Sequence, residues 1–317
     1  VSVRYESEWG GSMSKWDALS SLMGDQRYIW QGELERIQKL LWWDKVAGTV
    51  KGFPQEPIVW HLHPIGMVGN FQTSLCSCNK DITVEELDLL LPLDVRSKGL
   101  FYAAHDTTAR GFDKSQFLDL LNKYLRENDM MTCARKVHFL SQMSHECDQL
   151  RTNEEYRNRD GSIPSGWNNY HGGSNFHGRG LIQLTHDTNY IAYGKFIGDS
   201  TVGTSPDKVC RNIDRTTRSA CWYWRHGSHW GDINPKADRN DFYAVTVAVN
   251  GGFNHVDDRF VALNRLAEML GATHCTTNPG LVFNDYRLEN SLLFNTQFYK
   301  NNPSLFKKAV KVVNEKK

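Results

Sequence analysis

Ser144-His145-Glu146 is followed by an acidic pair, Glu154-Glu155, whose second member stands nine positions after the first acid (155 − 146 = 9). Further along runs Phe176-His177-Gly178-Arg179-Gly180-Leu181-Ile182-Gln183-Leu184-Thr185-His186. Two neighbouring acids with short polar side chains nearby suit the hydrolysis of a glycosidic bond. One carboxylic acid protonates the leaving oxygen, and an ionised carboxylate works from the other side. Such a pair functions only if its members sit in different environments. Phe139, Met143 and Glu146 recur at i, i+4 and i+7, so Glu146 ends an apolar helical face. Burial there disfavours the charged form, which suits Glu146 to the acid role. Glu155 lies in a polar segment close to Arg157 and Arg159, whose charges suit it to the role of base. The plainer reading of Glu146 is a helix-terminal carboxylate that caps or pairs with Arg179.

Helices must carry most of these groups. Hydrophobic period and capping residues predict helices over 14–22 and 27–46, the second with a stripe of Trp30, Leu34, Ile37 and Leu41 widened by Trp42 and Trp43. A stripe of this kind is read as core packing rather than a sugar platform. An extended segment is expected over 58–71. Thr83 with Glu86 three residues on forms a capping box that opens a helix ending before Pro92. Further helices are expected over 115–126, 132–146, 184–198, 216–225, 241–249 and 257–270, and in the tail over 284–313, packing on the outside through Leu292, Leu293, Phe294 and Phe298. The stretch 160–180, rich in Gly, Asn, Ser and aromatics, reads as a long loop lining something. Two helices about a connecting loop can look like an EF-hand pair, but neither loop offers calcium-ligand spacing, and no calcium is expected there. The fold class expected is mainly α, a helical lobe with a smaller N-terminal helical extension, divided as 1–78, 79–271 and 272–317.

His145-Glu146, Glu155, the Gly178 to His186 run and Val249-Asn250-Gly251-Gly252 together resemble the motif series of glycoside hydrolase family 19, the chitinases and their lysozyme-like bacterial and phage relatives. The resemblance spans about residues 80 to 271 and implies a lysozyme-like lobe. It favours Glu155 over Glu154 as the base. It further implies that the Thr185 hydroxyl positions the attacking water, that Gln183 and Asn189 contact substrate, that Asn250 holds an N-acetylated sugar, and that Arg259 orients the acid. The plainer readings are a helix cap for Thr185, a turn for Asn250 and a surface ion pair for Arg259. Trp167 and Tyr170, with Asn168, Asn169 and His171, have the mixture of aromatic faces and amides that suits a glycan cleft.

The link from Glu146 to Glu155 is shorter than the insertion of plant chitinases, and Asp187-Thr188-Asn189-Tyr190 departs from their Asn-Tyr-Asn-Tyr. The shorter connection resembles the phage and bacterial lysozyme branch. The expected substrate is therefore peptidoglycan, cut by inversion between N-acetylmuramic acid and N-acetylglucosamine, with a chitinase or a non-catalytic glycan-binding module as alternatives. The segment from Tyr5 to Phe71, with Trp60-His61-Leu62-His63-Pro64-Ile65-Gly66, resembles what precedes the lysozyme region of TseP-type type VI secretion effectors. That likeness implies an antibacterial effector acting in the periplasm of a target bacterium, with an immunity protein and secretion-apparatus components as partners.

Composition is that of an ordinary globular chain of 317 residues, 40% hydrophobic and 23% charged. A net charge of +1 gives no reason to expect nucleic acid or a membrane surface as partner. There is no basic, apolar leader in this sequence, which begins at Val1 and is read as part of a longer protein. Cys147 has no evident His partner and is not read as a nucleophile. Seven cysteines are spread along the chain. Cys76 and Cys78, with His61 and His63 nearby, suggest zinc, but no second Cys pair follows at ligand spacing. Neither metal nor cofactor is expected, and the cysteines are read as buried thiols or one optional disulfide.

Overall fold

The computed structural model describes residues 2–62, 76–275 and 281–317. Its backbone contacts divide the chain into two units, Val1–Gln72 and Thr73–Lys317. Among the described residues no helix is long and apolar enough to cross a membrane.

In the first unit the strands Ser2–Glu6 and Ile58–Leu62 pair antiparallel, with Glu6 opposite Ile58. The helix expected over 27–46 is two helices, Arg27–Leu40 and Trp43–Ala47, separated where Leu41 turns extended. The backbone N–H groups of Trp42 and Trp43 both donate to the Trp9 carbonyl, at 3.1 and 3.0 Å. Their indoles stack on each other and meet Phe53. A local aromatic cluster thus outweighs helix propagation there. The stripe of Trp30, Leu34, Ile37 and Leu41 is half-buried, with Trp30 edge-on to Trp16 and donating to Ser20 Oγ at 3.0 Å. Of the extended segment expected over 58–71 the strand Ile58–Leu62 is described; the rest, including His63 and Gly66, lies outside the described residues.

The second unit is mainly α. Several of its helices start where the side chain before the first turn accepts a backbone N–H. Thr83 and Glu86 form the expected capping box, and Asp113, Thr132, Asn212 and Asp241 cap Lys114–Glu127, Cys133–Glu146, Ile213–Trp222 and Phe242–Asn250. Cys133–Glu146 runs through the centre. Val137, Phe139 and Leu140 on it are fully buried, and the Phe139 ring meets Trp224 edge-on at 5.4 Å. Val256–Met269 packs along it. The helix expected over 184–198 begins only at Asp187, because Leu184 is tied back to Arg179 in a small hairpin; it closes at Gly198 in the left-handed conformation. Ile213–Trp222 starts earlier than expected, after its Asn212 cap, and runs into a wider turn over Tyr223–Gly227.

The tail does not simply lie on the outside. Phe306, Ala309 and Val313 of Pro303–Asn314 are buried in the main core, with Phe306 edge-on to Phe253 at 5.0 Å, while Leu292 is exposed. Burying one large aromatic contributes roughly 1.5–3 kcal/mol, which makes this helix part of the lobe.

Candidate active site

Glu146 is the last residue of its helix. After Cys147 the chain turns through Asp148, Gln149 and Leu150, all at positive φ (45°, 53° and 67°). Left-handed backbone costs non-glycine residues roughly 1–2 kcal/mol each, and other bonds hold it here. Arg151 donates to Asp94 at 2.7 and 3.0 Å and to Asp148 at 3.0 Å, and the Thr152 N–H reaches the Cys147 carbonyl at 3.2 Å. The reversal brings the next acids back toward the helix end.

Sequence periodicity placed Glu146 against apolar surroundings, but its partner is a cation. Arg259, only 1% exposed, donates from Nη2 to Glu146 Oε1 at 2.5 Å. It also donates from Nη1 to Gln142 Oε1 at 2.6 Å and from Nε to the Asn254 carbonyl at 3.2 Å. Arg259 is therefore no surface ion pair. Arg179, the other candidate partner, donates instead to Asn175 O, His177 O and the Tyr190 hydroxyl. Glu146 Oε2 has no hydrogen-bond partner among the described residues. The adjacent His145 is pushed down to about 4 by burial and by the charges of Arg259 and His255, so it is neutral near pH 7.

The opposite acids belong to a loop wall. Arg179 and Leu184 exchange backbone hydrogen bonds at 3.1 and 2.8 Å, closing a hairpin over Gly180 to Gln183. Gly180 takes φ +79°, and a Cβ there would stand 2.7 Å from Ser219 Oγ, so only glycine fits. Glu155 lies beside this hairpin, with its backbone N–H on the Gly178 carbonyl at 2.9 Å. Its carboxylate accepts from the Tyr170 hydroxyl at 3.0 and 3.1 Å and from the Gly178 N–H at 3.0 Å. The expected cations Arg157 and Arg159 are not its partners: among the described residues Glu155 has no ion pair, and the Arg157 guanidinium lies over Trp167 at 5.8 Å. Burial and the Glu155 charge push the Tyr170 hydroxyl well above its usual range, so it remains a donor.

Glu154 turns the other way. It is 5% exposed and bonded to His177 Nε2 at 3.0 Å and the Asp106 N–H at 3.0 Å. Burial works against its charge, but these bonds and the charges of His177 and Arg179 outweigh it and hold the carboxyl below its ordinary range. It braces the loop wall.

Glu146, Glu155 and the more buried Glu154 line one open cleft of about 670 Å³, together with Tyr170, Gln183, Thr185 and Asn250. Gln183 Nε2 is bonded to Gly180 O at 3.1 Å. Thr185 precedes His186 and is not a helix cap. Asn250 closes its helix before left-handed Gly251, and its Oδ1 accepts the Asn254 N–H at 3.3 Å. Two expected contact residues are not on the cleft surface. Trp167 is 2% exposed and stacked on His177 at 3.8 Å, because its large apolar face fills the space behind the loop. Asn189 is turned back to donate to the Thr185 carbonyl at 2.9 Å, steadying Thr185. Sequence reasoning missed Gln142, although it lies one helical turn before Glu146 on the same face. It also missed Asp148, Tyr156, Asn254 and His255, which line the cleft; only the fold gathers these.

Residues 149–237 match the family model of chitinase class I, glycoside hydrolase family 19. A glycosyl hydrolase family 19 domain-containing protein of Haemophilus influenzae is 34% identical over 115 residues, 35% of this chain and 49% of that protein. An endochitinase of Arabidopsis thaliana is 34% identical over 113 residues, 36% of this chain and 38% of its own length. The chain thus spans about half the length, or less, of these curated relatives. Chitinase C of Streptomyces griseus superposes with a TM-score of 0.46 at 18% identity, over 60% of this chain and 92% of that one. This matched stretch of the chain is therefore similar to glycoside hydrolase family 19. The matched stretch contains Glu155, the hairpin and Thr185, whereas Glu146, Asn250 and Arg259 lie outside it.

Proposed function

We propose that the chain is a glycoside hydrolase that cuts peptidoglycan at the β-1,4 bond between N-acetylmuramic acid and N-acetylglucosamine. The observation that carries this reading is that Glu146 and Glu155 line the same open cleft from separate elements, each with its own set of partners. Glu146 is the acid: Arg259 fixes Oε1 and leaves Oε2 to present a proton to the leaving oxygen. Glu155 is the base, and with Thr185 it holds the water that attacks from the opposite side. The reaction is a single displacement that inverts the anomeric carbon. Arg259 is a positioning residue. Gln183, Tyr170 and Asn250 line the path of the glycan, and no cofactor enters the chemistry.

The short Glu146 to Glu155 connection supports peptidoglycan as the substrate, and the likeness of the Tyr5 to Phe71 segment to type VI secretion effectors supports an antibacterial effector, delivered to the periplasm of another cell, as the setting. Chitin is the second reading, favoured by the endochitinase relatives. Reducing-end release from purified peptidoglycan and from colloidal chitin separates the two. Faster release from peptidoglycan, with muropeptides ending in reducing N-acetylmuramic acid and the α-anomer formed first, is the expected result. Reducing N-acetylglucosamine ends, or an equal rate on chitin, overturns the substrate; a first-formed β-anomer overturns the inversion.

A further inference from the structure

Sequence spacing argued against a metal, because Cys76 and Cys78 have no second pair after them. The fold supplies one from two distant places. Cys133 opens the helix that ends at Glu146, and Cys275 lies six positions past the end of the Arg259 helix (275 − 269 = 6). The four sulfurs of Cys76, Cys78, Cys133 and Cys275 all lie within 4.8 Å of one another. Cys76 Sγ is 2.7 Å from Cys133 Sγ and 2.8 Å from Cys275 Sγ, and Cys275 Sγ is 3.2 Å from Cys78 Sγ. These separations exceed a disulfide bond of about 2.05 Å, and Cys76 and Cys275 each approach two sulfurs. The arrangement is a compact four-cornered cluster rather than two separate pairs. In a tetrahedral thiolate site with Zn–S of about 2.3 Å, the sulfurs stand about 3.8 Å apart, so the cluster needs only to open slightly.

Two further features fit thiolates rather than thiols. Backbone N–H groups donate to the sulfurs, Cys133 N to Cys78 Sγ at 2.9 Å and Cys78 N to Cys76 Sγ at 3.4 Å; such donors orient and stabilise metal-bound thiolates. Lys136, one turn after Cys133, is fully buried, with its ammonium on the carbonyls of Ser77 and Lys80 that flank Cys78. Among the described residues it has no carboxylate within ion-pair distance. A divalent ion on four thiolates carries a net charge of −2, and a buried ammonium beside it offsets part of that charge.

We propose that Cys76, Cys78, Cys133 and Cys275 bind one structural zinc ion. Binding releases the four thiol protons and leaves no open position for water, so the ion takes no part in hydrolysis. It ties the segment before the lobe to the far ends of the two helices that carry Glu146 and Arg259. The Cys133–Glu146 helix of 14 residues sets the ion about 20 Å from the acid. The site supports the active cleft through stability and leaves its chemistry alone.

The test is the metal content of the full 317-residue chain purified under reducing conditions. Elemental analysis should find about one zinc per chain, and cobalt substitution should give thiolate charge-transfer and tetrahedral ligand-field absorption. A strong chelator should lower the melting temperature. Cys78→Ser, at the least buried ligand, should cut zinc at least about tenfold, whereas Cys210→Ser should retain it. Wild-type chain that holds no zinc, with its four thiols free to titrate or joined as two disulfides in mass spectra, overturns the proposal. So does zinc retained in Cys78→Ser, or a cobalt spectrum without thiolate bands.

Discussion

Glu146 receives its hydrogen bond from a guanidinium 113 positions along the chain, whereas Glu155 receives its bonds from a hydroxyl 15 positions on and a backbone N–H 23 positions on. The first wall of the cleft is an outgrowth of the core. Arg259 is buried between two packed helices, and its bonds to Gln142 and Asn254 make it part of their interface. The second wall is a loop closed on itself by a hairpin and braced from behind by Glu154, His177 and Trp167. The contrast teaches that one acid is tied to global stability and the other to local loop geometry. Changes on the helical wall should therefore move rate and stability together, while on the loop wall Glu155 and Tyr170 should move rate more than stability and the brace Glu154 stability more than rate.

The largest effect should come from the acids themselves. Glu146→Gln and Glu155→Gln should each lower the lytic rate by roughly 10²- to 10⁴-fold; Glu155→Gln should keep a melting temperature near wild type, whereas Glu146→Gln should also lose stability because it leaves the buried Arg259 without its carboxylate. More than about a tenth of the wild-type rate in either variant removes that residue from its role.

Next in size is Arg259→Met, which leaves Glu146 and Gln142 facing an apolar side chain. Breaking a mostly buried ion pair costs about 3–5 kcal/mol, so denaturant unfolding should show a loss of that order together with reduced activity. Full stability with lost activity would show that the helical wall is not coupled to the core as described.

Glu154→Gln should keep most of the activity while losing about 1.5–3 kcal/mol, the usual contribution of hydrogen bonds to a charged group. Because the folded state holds the Glu154 carboxyl below its ordinary range, its contribution is complete above that range and is lost as pH falls through the lowered value. The stability gap between wild type and Glu154→Gln should therefore be widest near neutral pH and close in acid. A variant that is inactive but stable would exchange the roles of Glu154 and Glu155.

Tyr170→Phe should have the smallest effect. It removes one donor to Glu155, worth about 0.5–1.5 kcal/mol, and should slow hydrolysis by up to about tenfold while leaving the melting temperature almost unchanged. A loss of stability matching that of Arg259→Met would erase the difference between the walls.

The helix starts and the hairpin were legible in the sequence because their determinants are local. The Gly178-Arg179-Gly180 run encodes the hairpin, the Thr83-Glu86 box and the Thr132 cap fix helix starts, and Glu146 falls at the end of a periodic apolar face. Each depends on groups within a turn or two of chain, where backbone geometry and side-chain reach settle the outcome. Misreadings arose where a distant group decided the matter. Trp167 and Asn189 have side chains suited to a sugar, but their surroundings turn them inward. The cations written next to Glu155 in the sequence are not its partners, because a side chain two or four positions along an irregular loop need not face the same way. The helix over 27–46 broke at Leu41 because the Trp9 carbonyl, far upstream, took the next two N–H groups.

What the sequence determined by itself is a mainly helical chain with two acids and a glycine hairpin of glycoside hydrolase family 19 character. Tertiary structure alone decided that Glu154 is bonded to His177 and the Asp106 N–H, that Trp167 stacks behind the loop, and that Cys133 and Cys275 join Cys76 and Cys78. The physical reason is the same in each case. Periodicity and capping specify the direction of a side chain relative to its own element, whereas the partner it meets depends on how elements separated by tens of residues pack against one another.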